Sequence, residues 1–503
     1  MQKTEHGGRN DRPSGRRLSV IVVSLMVMSA ITTVNAQEFE AKGPREEQRL
    51  QPDQFRGAVQ VSFGLKPVSM SFDLPWHFCS VAENGLKFAH FAAETYDPRD
   101  WNGQGADASF EPGMDKEGRF VRIWIEHKSE ARVVVRIRYA LNNSKYQIAH
   151  SDLKTDSPYN GGKGDWAEER FTIYPDATHV RHMTVHTGLA AMSQPFGFYR
   201  EPPSVVHEFM ESIVIGPAGH VPTDDMEREA VTLIRMFGRQ PGAVYPNGES
   251  EDIAFAMPEG PPSDFGEFHD ANVMVLNSKS KFRPFTVGLP YGVKVQPYGW
   301  EDDERFPFAT WTGYEDQSIG YVSAIGHMVN WWHFRRTEKT IEQVYLHGMT
   351  DEQDPSAEIL PLAWSWIVPS ELQWPGAKLS PNDSAGRYGQ FTYDQTQRAY
   401  VVPAEAIRNE KVVFSLDAIY DDEHLQGTMW IAKPAFVIPN WKHDAAVVLT
   451  VDGEKLKPGS DYRSGIETTS TGKNLVIWIN RTIDLNSREE HRAEFTIEPR
   501  KSR

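Results

Sequence analysis

The sequence is poor in the features by which function is most often recognised. It has one cysteine, Cys79, in 503 residues, so no intramolecular disulfide forms and packing alone must hold the fold. Cys79 lies in WHFCSV between apolar neighbours and reads as a small buried hydrophobe, not a nucleophile. The GxSxG elbow, HExxH, CxxC and the GxxxxGKS/T loop are all missing, which argues against the commonest motif-bearing hydrolases, metalloproteases, redox proteins and nucleotide binders. Excess positive charge is missing too. A net charge of −16 excludes non-specific attachment to nucleic acid or anionic membrane, while leaving room for a local basic cleft that takes a polyanion.

A long apolar run occurs once. Arg9, Arg12, Arg16 and Arg17 precede LSVIVVSLMVMSAITTV, and Val34-Asn35-Ala36 follows with small residues before polar QEFEAKGPREEQ. That order is an export signal, expected over residues 1–36. The competing reading is an uncleaved anchor, since the run is only slightly shorter than a bilayer-spanning helix. With cleavage, the expectation is a periplasmic, cell-surface or extracellular protein of bacterial type, with no stable membrane insertion.

What fills the remaining chain is the period of strands. FVRIWIEH and ARVVVRIRYAL alternate apolar with polar residues around a turn at Lys128-Ser129-Glu130, and ERFTIY and HVRHMTVH do so around Pro175-Asp176-Ala177; both read as antiparallel hairpins. No stretch carries helical amphipathicity over three turns. The predicted fold is therefore all-β: a large antiparallel β-sandwich followed by a smaller C-terminal β-sandwich. A polar linker is expected at 37–54 and the main sandwich region at 55–370, either one super-sandwich or two smaller ones breaking near 240. A Pro/Gly/Ser-rich linker follows at 371–395, and the accessory domain at 396–503.

Candidate chemistry gathers in three places. In HVRHMTVH, strand alternation sends His179 and Arg181 one way and His182, Thr184 and His186 the other. Four strand residues span about 13 Å, too far for His182 and His186 to share one metal ion. His182 is the candidate base, with Arg181 as a substrate contact; the plain alternative is a half-exposed sheet face. In PFGFYREPPSVVHEFMES the paired prolines stiffen the chain, presenting Tyr199 as acid, Arg200 as charge neutraliser and His207 as a further proton-transfer group. The Gly-rich stretch after His150, a second candidate base, carries Lys163 and Trp166 as candidate sugar contacts. Trp331 and Trp332 are candidate stacking platforms, only one of which faces a given cleft. Acidic runs at Glu301-Asp302-Asp303-Glu304 and Asp421-Asp422-Glu423 lack the spacing of a calcium loop, so no metal or other cofactor is expected, with calcium kept only as an unsupported option.

GDWAEERFTIYPDATHVRHMTVHTG, YLHGMTD with the later PLAWSW, and KPAFVIPNWKHDAAVVLTVDGEKLKPGSDYR together resemble exported bacterial proteins related to polysaccharide lyases, including ulvan-lyase-like sequences. The resemblance implies a β-sandwich core, an accessory β-domain and an acidic polysaccharide as partner. On this basis the leading expectation is a lyase cleaving a uronic-acid polysaccharide by β-elimination. A non-catalytic carbohydrate-binding or surface protein is the first alternative. A glycoside hydrolase, needing two carboxylates about 5–10 Å apart, is the second.

Overall fold

In strand HVRHMTVH the side chains alternate between buried and half-buried from Arg181 onward, as a period-two strand with one covered face requires. The structure is a computed structural model. It describes residues 40–42, 59–62, 64–73, 78–91, 93–96, 109–151, 164–187, 206–207, 209–236, 251–255, 269–289, 293–297, 319–330, 334–376, 392–408, 410–418, 420–421, 425–426, 430–485 and 487–500. In chain order, the strands used below are β1 (Lys87–Phe91), β2 (Arg122–Lys128), β3 (Val133–Ala140), β4 (Trp166–Ile173), β5 (His179–His186), β6 (Phe209–Pro217), β7 (Arg283–Gly288), β8 (Ile319–Asn330), β9 (Arg335–Arg336) and β10 (Thr340–Thr350), followed by helix α1 (Pro355–Ile367).

Two large antiparallel sheets face each other. The first runs, edge to edge, through 40–42, 59–62, 69–72, 79–81, β1, β6, β8, 293–297 and 269–270. The second runs through 251–255, 226–235, 273–278, β7, β10, β5, β4, β3 and β2, with β9 paired to β10. Both sheets take strands from either side of residue 240, so together they make one super-sandwich. Phe72, Phe78 and Phe171 meet at its centre with ring centroids 4.8–5.3 Å apart. Each such fully buried aromatic contributes about 2–3 kcal/mol. Cys79 is buried, and burial pushes its thiol up to about 12, which leaves it unreactive.

A smaller sandwich follows. One sheet orders 371–373, 411–417, 492–499, 447–451 and 454–455; the other orders 393–394, 399–401, 435–438, 472–479 and 462–469. Within the linker expected at 371–395, Glu371–Gln373 pairs instead with 411–417; residues 377–391 lie outside the described ones. All described residues belong to one compact unit, Ala36–Arg503.

Helix α1 is the element the sequence does not announce. Asp354 caps it by accepting from the Ser356 amide at 3.0 Å, and Pro355 occupies its first turn. It is buried along Ile359 and Leu362–Ile367, so it has no clean polar stripe to read. Its apolar side joins Val180, Val344, Leu346, Phe285 and Val287 on the outer face of the second large sheet, and the same core continues into the small sandwich. Gly348 permits this packing, because a Cβ there would run into the Phe285 ring. Polar contacts pin the joint: Arg132 holds Glu467 by two hydrogen bonds of 2.7 and 2.8 Å, and Lys433 lies 3.2 Å from Asp176 in the β4–β5 turn.

Candidate functional site on the outer sheet face

Register decides which side chains share the uncovered part of the second sheet. Arg138, Glu168, Thr184, Glu342 and Arg335 stand side by side on β3, β4, β5, β10 and β9. In the next row are Trp124, Arg136, Arg170 and His182; in a third, Trp166, His186 and Thr340. The apolar end of the same face, at Val180 and Val344, is the part covered by α1 and the small sandwich. A polar ladder thus begins where the apolar joint stops.

Its contacts are specific. His182 Nε2 lies 2.9 Å from Glu342 Oε2, and the ring meets Phe334 edge-on. The His182 hydrogen bond lowers the Glu342 carboxyl below its ordinary value, with burial opposing and the His182 and Arg335 charges adding to the effect. Glu126 spans Arg170 at 3.1 Å and Arg136 at 3.2 Å. Burial works to raise the Glu126 carboxyl, but Arg170 and Arg136 outweigh it and hold the group lowered. Arg138 lies 5.7 Å from the Trp166 ring centroid and 3.6 Å from Glu168. Its side chain is 56% exposed and that of Arg335 is 63% exposed. Five arginines (Arg122, Arg136, Arg138, Arg170, Arg335) therefore face three glutamates (Glu126, Glu168, Glu342) on this surface, a local cationic excess in an acidic chain.

The opposite face of the same strands is a buried polar cluster. Arg181, 2% exposed, grips Glu169 at 2.5 and 2.8 Å and donates to the His90 carbonyl at 2.8 Å. Tyr139 donates to Glu169 at 2.5 Å. His347 stacks between His90 and His179, with centroids 5.0 Å apart on each side, and its Nδ1 meets Thr286 Oγ1 at 2.9 Å. Burial lowers all three imidazoles: His90 is pushed down to about 3, with Arg181 assisting, and His179 and His347 fall well below their usual value, His179 further depressed by His90, and His347 by His179 and His90. The three rings are neutral and enclosed. Among the described residues, no group of three or more His, Cys, Asp or Glu is placed to hold a metal ion.

Of the sequence-derived candidates, His182 and Trp166 come to the same exposed face. Arg181 turns inward because it differs from His182 by one step of a period-two strand. His150 is buried in the β3–β4 connection, its Nδ1 2.7 Å from Asp165 Oδ2. Gly164 holds that connection closed, since at φ +76° a Cβ would meet Ile148 and the Ala149 carbonyl. His207 stands on a short strand paired with 94–96. Lys163, Tyr199, Arg200, Trp331, Trp332, the run 301–304, and Asp422 and Glu423 lie outside the described residues, as does the expected signal at 1–36. The sequence reading missed Glu342, Glu168, Arg138 and Arg170; each falls on the polar parity of its strand, but only the register shows that they share a row.

No family model matches the chain, and no curated protein matches it. Among solved structures it is similar to a copper-containing benzylamine oxidase from Hansenula polymorpha, at 8% identity and TM-score 0.24, covering 62% of this chain and 64% of that one. It is also similar to a Paenibacillus xanthan lyase, at 7% identity and TM-score 0.22, covering 88% and 38%. The third likeness is to the N-terminal domain of a Streptococcus gordonii adhesin, at 9% identity and TM-score 0.11, covering 75% and 81%. The chain thus spans less than two thirds of the oxidase and of the lyase. Likenesses this distant carry no argument about activity.

Proposed function

We propose that the outer face of the second sheet binds an acidic polysaccharide and that the protein cleaves it by β-elimination. The observation that carries this reading is the arginine-rich ladder around the His182–Glu342 pair. With Nε2–H donating to Glu342, His182 keeps a lone pair on Nδ1, which suits it to take the proton beside a uronate carboxylate. Glu342 holds the ring and stabilises the imidazolium that results. Arg170, the cross-strand partner of His182, neutralises the charge that develops on the uronate as its carbon–hydrogen bond breaks. The electron pair forms the new double bond and expels the glycosidic oxygen, which takes a proton from an acid; Tyr199 is the candidate for that acid from its sequence context alone. Arg138 and Arg335 supply further contacts to carboxylates along the polymer, and Trp166 a surface for a sugar ring. The N-terminal order of basic, apolar and small residues supports export to where such polymers occur.

Glu168 and Glu342 flank Thr184 two strand spacings apart, about 9.5 Å at the backbone, close to the carboxylate separation of an inverting glycosidase. His182 lowers the Glu342 carboxyl, which suits Glu342 to the base of such a pair and not to its general acid.

The test is a panel of uronic-acid polysaccharides with purified mature protein, following the ultraviolet absorbance of unsaturated product and, separately, binding at low and high salt. Product from at least one polymer, with binding that weakens as salt rises, is the expected result. Binding without product would replace the lyase with an adhesive protein, and no binding to any member would remove the proposal.

A further inference from the structure

Arg398 is the one described arginine whose three guanidinium nitrogens are all buried without a hydrogen-bond partner. It is 4% exposed and sits at φ +49° in the turn between 393–394 and 399–401. That turn is tied to α1 through Trp366 Nε1, which donates to the Gln395 carbonyl at 3.0 Å. The guanidinium carbon lies 4.6 Å from the Tyr174 ring centroid, so the cation is wedged between the β4–β5 hairpin and the small sandwich. Beside it is a cavity of about 10 Å³, walled by Arg398, Trp366, Tyr393, Tyr400, Ser365 and Pro434 among others. Such a space takes a single small particle.

Neighbouring carboxylates make no hydrogen bond to the Arg398 guanidinium. Asp176, 3.2 Å from Lys433 and bonded to the Thr178 hydroxyl at 2.6 Å, is close enough for the Arg398 charge to help Lys433 hold its carboxyl lowered. Asp394 accepts from the Thr396 amide and hydroxyl and from Gln397. The Ser365 hydroxyl donates within the helix or to Trp430 and accepts from the Ala432 amide. A guanidinium enclosed by protein with no acceptor in contact needs a partner, and its charge favours an anion over a neutral one.

We propose that Arg398 anchors one monatomic halide in this cavity, at the joint between α1, the β4–β5 hairpin and the small sandwich. The space is close to that of one water-sized sphere, which leaves no room for carboxylates or oxyanions. The bound ion lets the hairpin turn dock against a buried cation, so its role is to hold the joint.

Two measurements on the full mature chain test this. Crystals grown from bromide should show an anomalous scattering peak inside the cavity beside the Arg398 guanidinium; water or nothing at that position overturns the proposal without reliance on any variant. In solution, replacing gluconate by chloride at equal ionic strength should raise the melting temperature saturably. Arg398→Gln should lose the ion-specific rise while Arg398→Lys retains part of it. A rise of equal size in Arg398→Gln would contradict the assignment.

Discussion

Strand β5 sends His179 and Arg181 to one face and His182 and His186 to the other, and the two faces use the same residue types oppositely. Inside, Arg181 is locked to Glu169 and the imidazoles are held neutral by burial. Outside, His182 keeps a carboxylate partner and access to solvent, and the neighbouring arginines remain half-exposed. A histidine or arginine in this strand is therefore chemically informative only once its parity is known. The inner set is buried, so its charges stabilise or destabilise the fold; the outer set is where a ligand meets titratable groups.

The comparison breaks most visibly at Arg181. Arg181→Met leaves Glu169 charged, buried and without its cation, and should cost about 3–5 kcal/mol, read as a lowered denaturant midpoint; a change under about 1 kcal/mol would mean that the inner pair is not a structural clamp. On the outer face, His182→Ala should lower the rate of product formation by about 10²-fold or more, about 3 kcal/mol of barrier, with the melting temperature little changed. Equal losses of rate and of folded protein would instead place His182 with the inner set.

Acid sharpens the contrast. His90, His179 and His347 have folded values below the unfolded 6.5, so below that pH the unfolded chain binds more protons than the native one. Stability should be complete above about 6.5 and fall as pH drops toward the value of about 3 held by His90. The slope is up to about 1.4 kcal/mol per pH unit for each ring. Unfolding midpoints across that window, with His347→Gln flattening the slope, check it; a flat profile in the parent chain would show the rings are not enclosed. The smallest effect belongs to the exposed Arg335–Glu342 contact at 4.0 Å. Arg335→Ala should change stability by no more than about 1 kcal/mol, while weakening polymer binding at low salt more than at high salt.

Much of this was legible in the residues. Alternation marked β2–β5 as hairpins and assigned His179 and Arg181 to one face, His182 to the other. The buried cluster is not what the sequence reading gives: Arg181 reads there as a substrate contact, although it and Glu169 fall on the parity otherwise occupied by Phe171, Met183 and Val185, which the structure buries. Its remaining members were not visible, because His90 and His347 enter from strands far away in the chain and no local spacing links them. Helix α1 escaped because it is buried along most of its length and carries Pro361, both of which erase the amphipathic signal. The outer row needed register, which a single sequence does not contain.

Product formation and unfolding midpoint, measured together on His182→Ala and Arg181→Met with the polymer that the parent protein cleaves, bear most directly on the division between the two faces. The account predicts that His182→Ala folds as the parent does and makes almost no unsaturated product, whereas Arg181→Met unfolds far more readily but stays active at temperatures where it remains folded. Full activity in folded His182→Ala, or loss of activity in folded Arg181→Met, would contradict it.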